Sequence, residues 1–326
     1  LILILILILI LILNHNSFYH SFIFFFFSIK KNSIFVKILK LNMLPESDKE
    51  WTEVIRPKRT WYDINLSEVW KYRDLVLIFV RRDFVAGYKQ TILGPLWYIF
   101  QPLLTTIVFT IIFDKFAHIS TNATPSVIFY MTGITAWNYF ASCITKTSGT
   151  FINNAGIFGK VYFPRLTVPV SIVISNLITF CVQFLFMMGF WVYYYLIGAN
   201  IYITPYIFLI PVLLLLTALM GLGFGIIISS LTTKYKDLQF VVNFGVQLLM
   251  YATPIIYPLS SIPDKYKIII MLNPMTSIIE TFKYALLGRG TFSWEMLGYS
   301  GIFSIAILII GLLLFNKIEQ RFIDTI

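Results

Sequence analysis

A chain of 326 residues that is 58% hydrophobic and only 12% charged departs from soluble domains, which carry about 25% charged residues. A soluble fold cannot hide this much apolar surface, so the composition specifies an integral membrane protein, and its apolar windows make it all-α. The net charge of +10 then belongs to loops facing anionic headgroups, and nucleic-acid binding is excluded.

Leu1 to Leu13 alternate strictly between Leu and Ile, a Phe/Ser/Lys-rich stretch runs on to Asn42, and the first Met is Met43. The alternating run is too short to cross a membrane as a helix, and no small-residue cleavage site follows. Residues 1–42 therefore read as a low-complexity leader from a start assigned too early. An extra anchor around Phe18 to Phe27 is the alternative. Residues 43–64 read as a polar cytoplasmic tail.

Residues 65–90 form the next element. From Asn65 to Val80, apolar Leu66, Val69, Trp70, Leu75, Val76, Phe79 and Val80 are interleaved with Glu68, Lys71, Arg73 and Asp74. That spacing predicts an amphipathic helix, with Asn65 and Glu68 placed as a capping box. Its cationic polar face suits the membrane interface rather than a crossing. Arg81, Arg82 and Lys89 close this segment, directly ahead of an uncharged stretch from Thr91 to Phe113.

Six apolar windows follow, at about 94–113, 126–145, 168–197, 206–231, 238–258 and 298–316, within a transmembrane region of 91–320. With the amino terminus inside, fifteen Lys and Arg from Trp51 onward fall on the cytoplasmic side and five on the other. The five are Lys115, Lys265, Lys267, Lys283 and Arg289. That asymmetry places both termini in the cytoplasm. Gly221, Gly223 and Gly225, followed by Ser229 and Ser230, give the fourth span a small face for close helix packing. Between the fifth and sixth spans, Tyr266–Leu272 and Thr276–Leu287 are too short to cross and are parted by Asn273-Pro274. They read either as outer re-entrant half-helices or as a plain outer loop with two surface helices.

Catalytic chemistry is missing from this pattern. His15, His20 and His118 lie outside the spans, and Cys143 and Cys181 sit in apolar stretches as small hydrophobes. No metal site or bound cofactor is expected. Gly159-Lys160 ends like a nucleotide-binding loop, but Asn154 stands where Gly is needed and Val161 where Ser or Thr would hold magnesium. The spans are almost free of ionisable groups, unlike those of proton- or sodium-coupled transporters. The driving force must come from elsewhere.

Three segments resemble the ABC-2 type permeases that export O-antigen and teichoic acid. The strongest is RRDFVAGYKQTILGPLWYIFQPLLTTIVF, starting at Arg81, with Tyr88-Lys-Gln-Thr, Leu93-Gly, Leu96-Trp and Gln101-Pro in place. The second is NNAGIFGKVYFPRLTVPV from Asn153 to Val170, and the third is Leu272-Asn-Pro-Met-Thr. The resemblance implies a homodimeric channel subunit in the bacterial cytoplasmic membrane, working with a separate ATPase that holds the ATP and magnesium. Asn153, Asn154, Phe158, Lys160, Tyr162, Phe163 and Arg165 would couple to it. Phe158, Tyr162 and Phe163 would fill a groove of the ATPase, with Lys160 and Arg165 at the rim; membrane-surface anchoring is the alternative. Arg81, Arg82, Tyr88 and Lys89 would stand where an anionic, lipid-linked polysaccharide enters. Trp97, Tyr98, Phe100, Tyr251 and Tyr257 would line the channel, where flat rings stack on sugar faces. A drug or small-lipid exporter on the same fold is the nearest alternative, and a membrane-bound transferase a more distant one.

Overall fold

The computed structural model describes residues 66–87, 89 and 94–323. The leader, the tail, Asn65 of the capping box and Tyr88 lie outside the described residues. Among the described residues every regular element is helical, with no strand.

The amphipathic segment forms α1 (Leu66–Lys71) and α2 (Arg73–Ala86), parted at Tyr72. Val76, Phe79 and Val80, at the helical spacing of one face, are buried. They lie on the side where α2 packs on α6 (Thr167–Leu196). Leu77 and Ile78 stay exposed next to Arg81 and Arg82. Exposed aliphatics beside cations are what a helix lying in a headgroup layer presents.

Among the described residues, five helices are long and apolar enough to cross a membrane. Gly94–Phe116 combines a short 3-10 turn, α3 (Trp97–Phe109) and a π-helical turn, and it carries Pro102 inside. The others are α4 (Ser126–Ser148), α6, Pro205–Thr232 and the Trp294–Ile318 part of α11 (Trp294–Ile323). Pro205–Thr232 is a 3-10 turn followed by α7 (Ile210–Thr232). Charged residues in these spans occur only within three residues of their ends.

Helix α4 is the centre of the bundle. In its most apolar stretch 78% is buried, against 17% in the first span. It contacts α3, α6, α7 and α10 (Pro274–Leu287). The small face of α7 is two faces. A Cβ on Gly221 or Gly225 would lie 2.6 and 2.5 Å from the Cβ atoms of Cys143 and Thr147 on α4. A Cβ on Gly223 would lie 2.5 Å from Ile307 and 2.8 Å from the Leu308 backbone nitrogen on α11. Gly311 meets the Gly223 carbonyl from the other side. Glycine lets these helices approach almost backbone to backbone.

The fifth expected span is shorter than its hydropathy. Helix α8 (Leu238–Ala252) stops after 15 residues, a rise of about 22 Å against a hydrocarbon core of about 30 Å. Pro254 is the reason: the residue before proline is driven to extended backbone, and Thr253 has ψ 146. The chain then runs as an irregular, largely buried link to Leu259. After it come α9 (Asp264–Met271) and α10, the two short helices expected on either side of Asn273-Pro274. Asn273 caps α10 by accepting from the Met275 amide at 3.0 Å, Pro274 occupies its first turn, and Gly288 ends it in the left-handed conformation with φ 66. Helix α9 has no buried residue, whereas α10 is buried over most of its length.

Candidate functional site

The bundle has two chemically different ends. At one, the C-termini of α4, α7 and α11 meet α2, α5 (Thr150–Phe158) and the start of α6. At the other, α10 gathers the start of α4, the end of α6 and the start of α11.

The α5 end is built on aromatic rings. Gly149 breaks α4 from α5, and the hydroxyl of Thr232 on α7 donates to the Ser148 carbonyl at 2.9 Å. The Phe151 amide donates to the Ser229 hydroxyl, and the Asn154 side chain to the Thr150 carbonyl at 3.0 Å. Phe151, Asn154 and Phe158 fall on one helical face and are buried. The Phe151 ring stacks on Phe315 of α11 at 4.8 Å and neighbours Phe158 at 6.0 Å. Phe158 meets Phe163 at 5.7 Å, and Phe163 meets Phe79 of α2 at the same separation. Two arginines cover this cluster: Arg165 lies 5.6 Å from the Phe158 centroid and Arg82 4.7 Å from that of Phe79. One continuous aromatic seam therefore joins α5 to both α2 and α11.

This arrangement corrects part of the expected coupling surface. Asn154, Phe158, Phe163 and Arg165 are all at most 8% exposed, so the two phenylalanines cannot also fill a groove on another protein. The apolar cluster inside the chain has already claimed them. Facing outward instead are Asn153, Lys160, Val161 and Tyr162, the last two 59% exposed each. Val161 is the residue that residue-type reasoning passed over. Phe79 was legible as part of the apolar face of α2, but Phe151 and Phe315 were missed; of these two, only Phe151, seven residues before Phe158, left a helical-spacing signal.

Near the same end, Arg81, Arg82 and Lys89 are exposed. Arg82 Nε donates to Asp83 at 2.8 Å. Tyr98 stacks on Phe84 of α2 at 5.8 Å, and its hydroxyl reaches the Phe84 carbonyl at 3.4 Å. Trp97 is 47% exposed and set edge-on to Phe100 at 6.4 Å. The structure thus brings Trp97, Tyr98 and Phe100 beside the segment that carries the cations. Tyr251 and Tyr257 belong to the α10 end, where the Tyr257 hydroxyl donates to the Tyr251 carbonyl at 3.4 Å. The aromatic residues expected along a path form two separate groups.

The α10 end contains what the sequence reading missed. Lys283, counted there as an outward cation, is 0% exposed, and Glu280 is 2% exposed. Both sit one helical turn apart on α10, and no hydropathy window marks two charges inside an amphipathic segment as enclosed. Among the described residues no three of His, Cys, Asp and Glu come together as a metal site would require.

Comparison with known proteins agrees with this architecture. The family model of the ABC-2 type transporter matches residues 74–287, from the start of α2 to the end of α10. An O-antigen export system permease protein RfbA of Klebsiella pneumoniae is 31% identical over 261 residues, covering 77% of this chain and 94% of that protein. The protein of the same name from Myxococcus xanthus is 27% identical over 219 residues, 66% of this chain and 81% of its own length. The polysialic acid transport protein KpsM of Escherichia coli is 25% identical over 245 residues, 75% and 93% respectively. The matched region holds α2, the packed spans, α5 and the capped α10, and on these grounds the chain belongs to the ABC-2 type transporter family.

Proposed function

We propose that this chain is the membrane permease subunit of an exporter that carries a lipid-linked polysaccharide across the bacterial cytoplasmic membrane. The observation that carries the reading is the match, over 93–94% of their own length, to permeases named for O-antigen export and polysialic acid transport. The physical chemistry of the chain supports it. Spans charged only near their ends fit a permease whose energy enters through a separate ATPase. That subunit docks on Asn153, Lys160, Val161 and Tyr162, and the aromatic seam beneath them transmits its movement to α2 as a rigid body. ATP and magnesium bind on that partner.

In this reading the α5 end faces the cytoplasm, as the excess of Lys and Arg on that side supports, and both termini lie there. Helix α8 with the buried link after it forms a sixth crossing, and α9 and α10 dip in from the outside as re-entrant half-helices. Two copies enclose the path. Arg81, Arg82 and Lys89, with Tyr88, receive the anionic headgroup of the substrate, and the aromatic groups at either end of the path offer faces for sugar rings. Deleting the gene tests the proposal: lipid-linked polymer accumulates in the cytoplasmic leaflet, whereas normal surface polymer in the deletion strain would overturn it.

A further inference from the structure

Helix α10 carries Glu280 and Lys283 fully enclosed, and enclosed charges persist only where pairing and hydrogen bonds offset their desolvation. The two side chains reach in opposite directions. Lys283 Nζ donates to the Pro254 carbonyl at 2.6 Å and the Ile255 carbonyl at 3.2 Å, and it lies 3.7 Å from the centroid of Phe129 on α4. Glu280 Oε2 accepts from the amide and hydroxyl of Thr291, at 3.1 and 3.2 Å, in the link to α11.

What Lys283 holds is unusual backbone. Thr253, Ile255, Ile256 and Leu259 are at most 4% exposed, although this link has left the helix, and the Pro254 and Ile255 carbonyls accept from Lys283 instead of from a helical amide. Irregular backbone buried in a membrane protein needs donors from elsewhere. Lys283 supplies two, and Asn273 adds a third contact by donating to the Thr253 hydroxyl at 2.9 Å.

The two sides of this contact are anchored very differently. Trp191 of α6 donates to the Leu286 carbonyl at 2.8 Å, the Thr204 amide to the Ala285 carbonyl at 3.1 Å, and Ser300 of α11 to the Pro274 carbonyl at 2.7 Å. Helix α10 is thereby tied to three neighbours. Helix α8 has no fully buried residue and leans on α4 and α7 through Val242, Val246 and Met250. Its junction with the part held by α10 is Thr253–Ile255, where the ammonium sits.

We propose that Lys283 is the positioning residue of an outer seal. Its ammonium holds the Thr253–Leu259 link folded inward at the α10 end, and export requires its two hydrogen bonds to that link to open. This rests on the exporter reading with the α10 end outside.

The test uses the full-length chain with its ATPase in cells, with Cys143 and Cys181 replaced by alanine and Ile256→Cys as the reporter. Labelling by a membrane-impermeant maleimide is followed from outside. Lys283→Met is expected to raise the labelling rate by at least about ten-fold, the change that losing one charged hydrogen bond makes to an opening equilibrium. Thr253→Val removes the Asn273 contact and the Thr253 hydroxyl's own bond to the Leu249 carbonyl at 2.7 Å; it leaves both Lys283 bonds in place and gives a smaller rise. A merely structural lysine would lower the amount of inserted protein without changing the labelling rate of what is inserted. Unchanged labelling in both variants overturns the seal, and Thr253→Val decides alone if Lys283→Met does not accumulate. Leu272→Cys, 63% exposed at the same end, reports sidedness separately. If it labels only in inside-out vesicles, the orientation is wrong and the comparison at Ile256→Cys is made there.

Discussion

Phe163 and Tyr162 are neighbours in sequence with opposite environments, and exchanging each for alanine separates folding from coupling. Phe163 is 5% exposed and touches the rings of Phe79 and Phe158, both at 5.7 Å. Truncating an enclosed phenylalanine costs about 3–5 kcal/mol through lost burial and the cavity left behind. Two ring contacts of about 0.5–1.5 kcal/mol each are part of that loss. Phe163→Ala is therefore expected to lower the thermal stability of the detergent-solubilised permease clearly, as read by size-exclusion chromatography after heating. Tyr162, 59% exposed, contributes little to that stability. As an exposed aromatic anchor for the ATPase it is worth about 2 kcal/mol of docking, or roughly thirty-fold in affinity. Tyr162→Ala thus leaves the melting profile unchanged while reducing ATPase co-purification and polymer export. A Phe163→Ala variant that melts like the parent, or a Tyr162→Ala variant that is destabilised yet keeps ATPase binding, would overturn this division of roles.

Three other perturbations test separate parts of the structure. Reversing two exposed charges on α2, Arg81→Glu with Arg82→Glu, is expected to slow export by at least about ten-fold, since each cation near an anionic surface contributes about 1 kcal/mol. The protein remains inserted, and unchanged export would remove α2 from the site where substrate enters. Gly223→Ala pushes a methyl into Ile307 and the Leu308 backbone, which costs about 1–3 kcal/mol by overpacking. Gly245→Ala on α8 meets nothing within 4 Å and is tolerated; equal melting of the two variants would show that α7 and α11 are not in close contact. Trp191→Phe removes the 2.8 Å bond to the Leu286 carbonyl and lowers stability by about 1–3 kcal/mol, measured in the same melting assay, where no loss would mean α6 does not anchor α10.

Local chemistry accounts for what could be read directly. Composition alone required a membrane, because no soluble core could enclose so many apolar side chains. The face of α2 followed from Val76, Phe79 and Val80 at helical spacing. The division between α9 and α10 followed from Asn273-Pro274, a cap and a helix-starting proline side by side. The glycines of α7 announced close packing because no side chain stands between the backbones there. Each of these rests on covalent geometry within a few residues.

Inward and outward faces were decided only by the tertiary structure. Lipid and protein interior both accept apolar side chains, so the stripe that marks the buried face of a soluble helix disappears within a span. Phe158 and Phe163 could therefore not be told from Val161 and Tyr162 until Phe79 and Phe315, from remote parts of the chain, had closed over the first pair. The end of α8 was marked by Pro254, but averaging over an apolar window concealed it. Lys283 is the clearest case. A cation in a loop between spans reads as solvent-facing by type, and only the carbonyls of Pro254 and Ile255, nearly thirty residues earlier, supplied the partners that let it be enclosed.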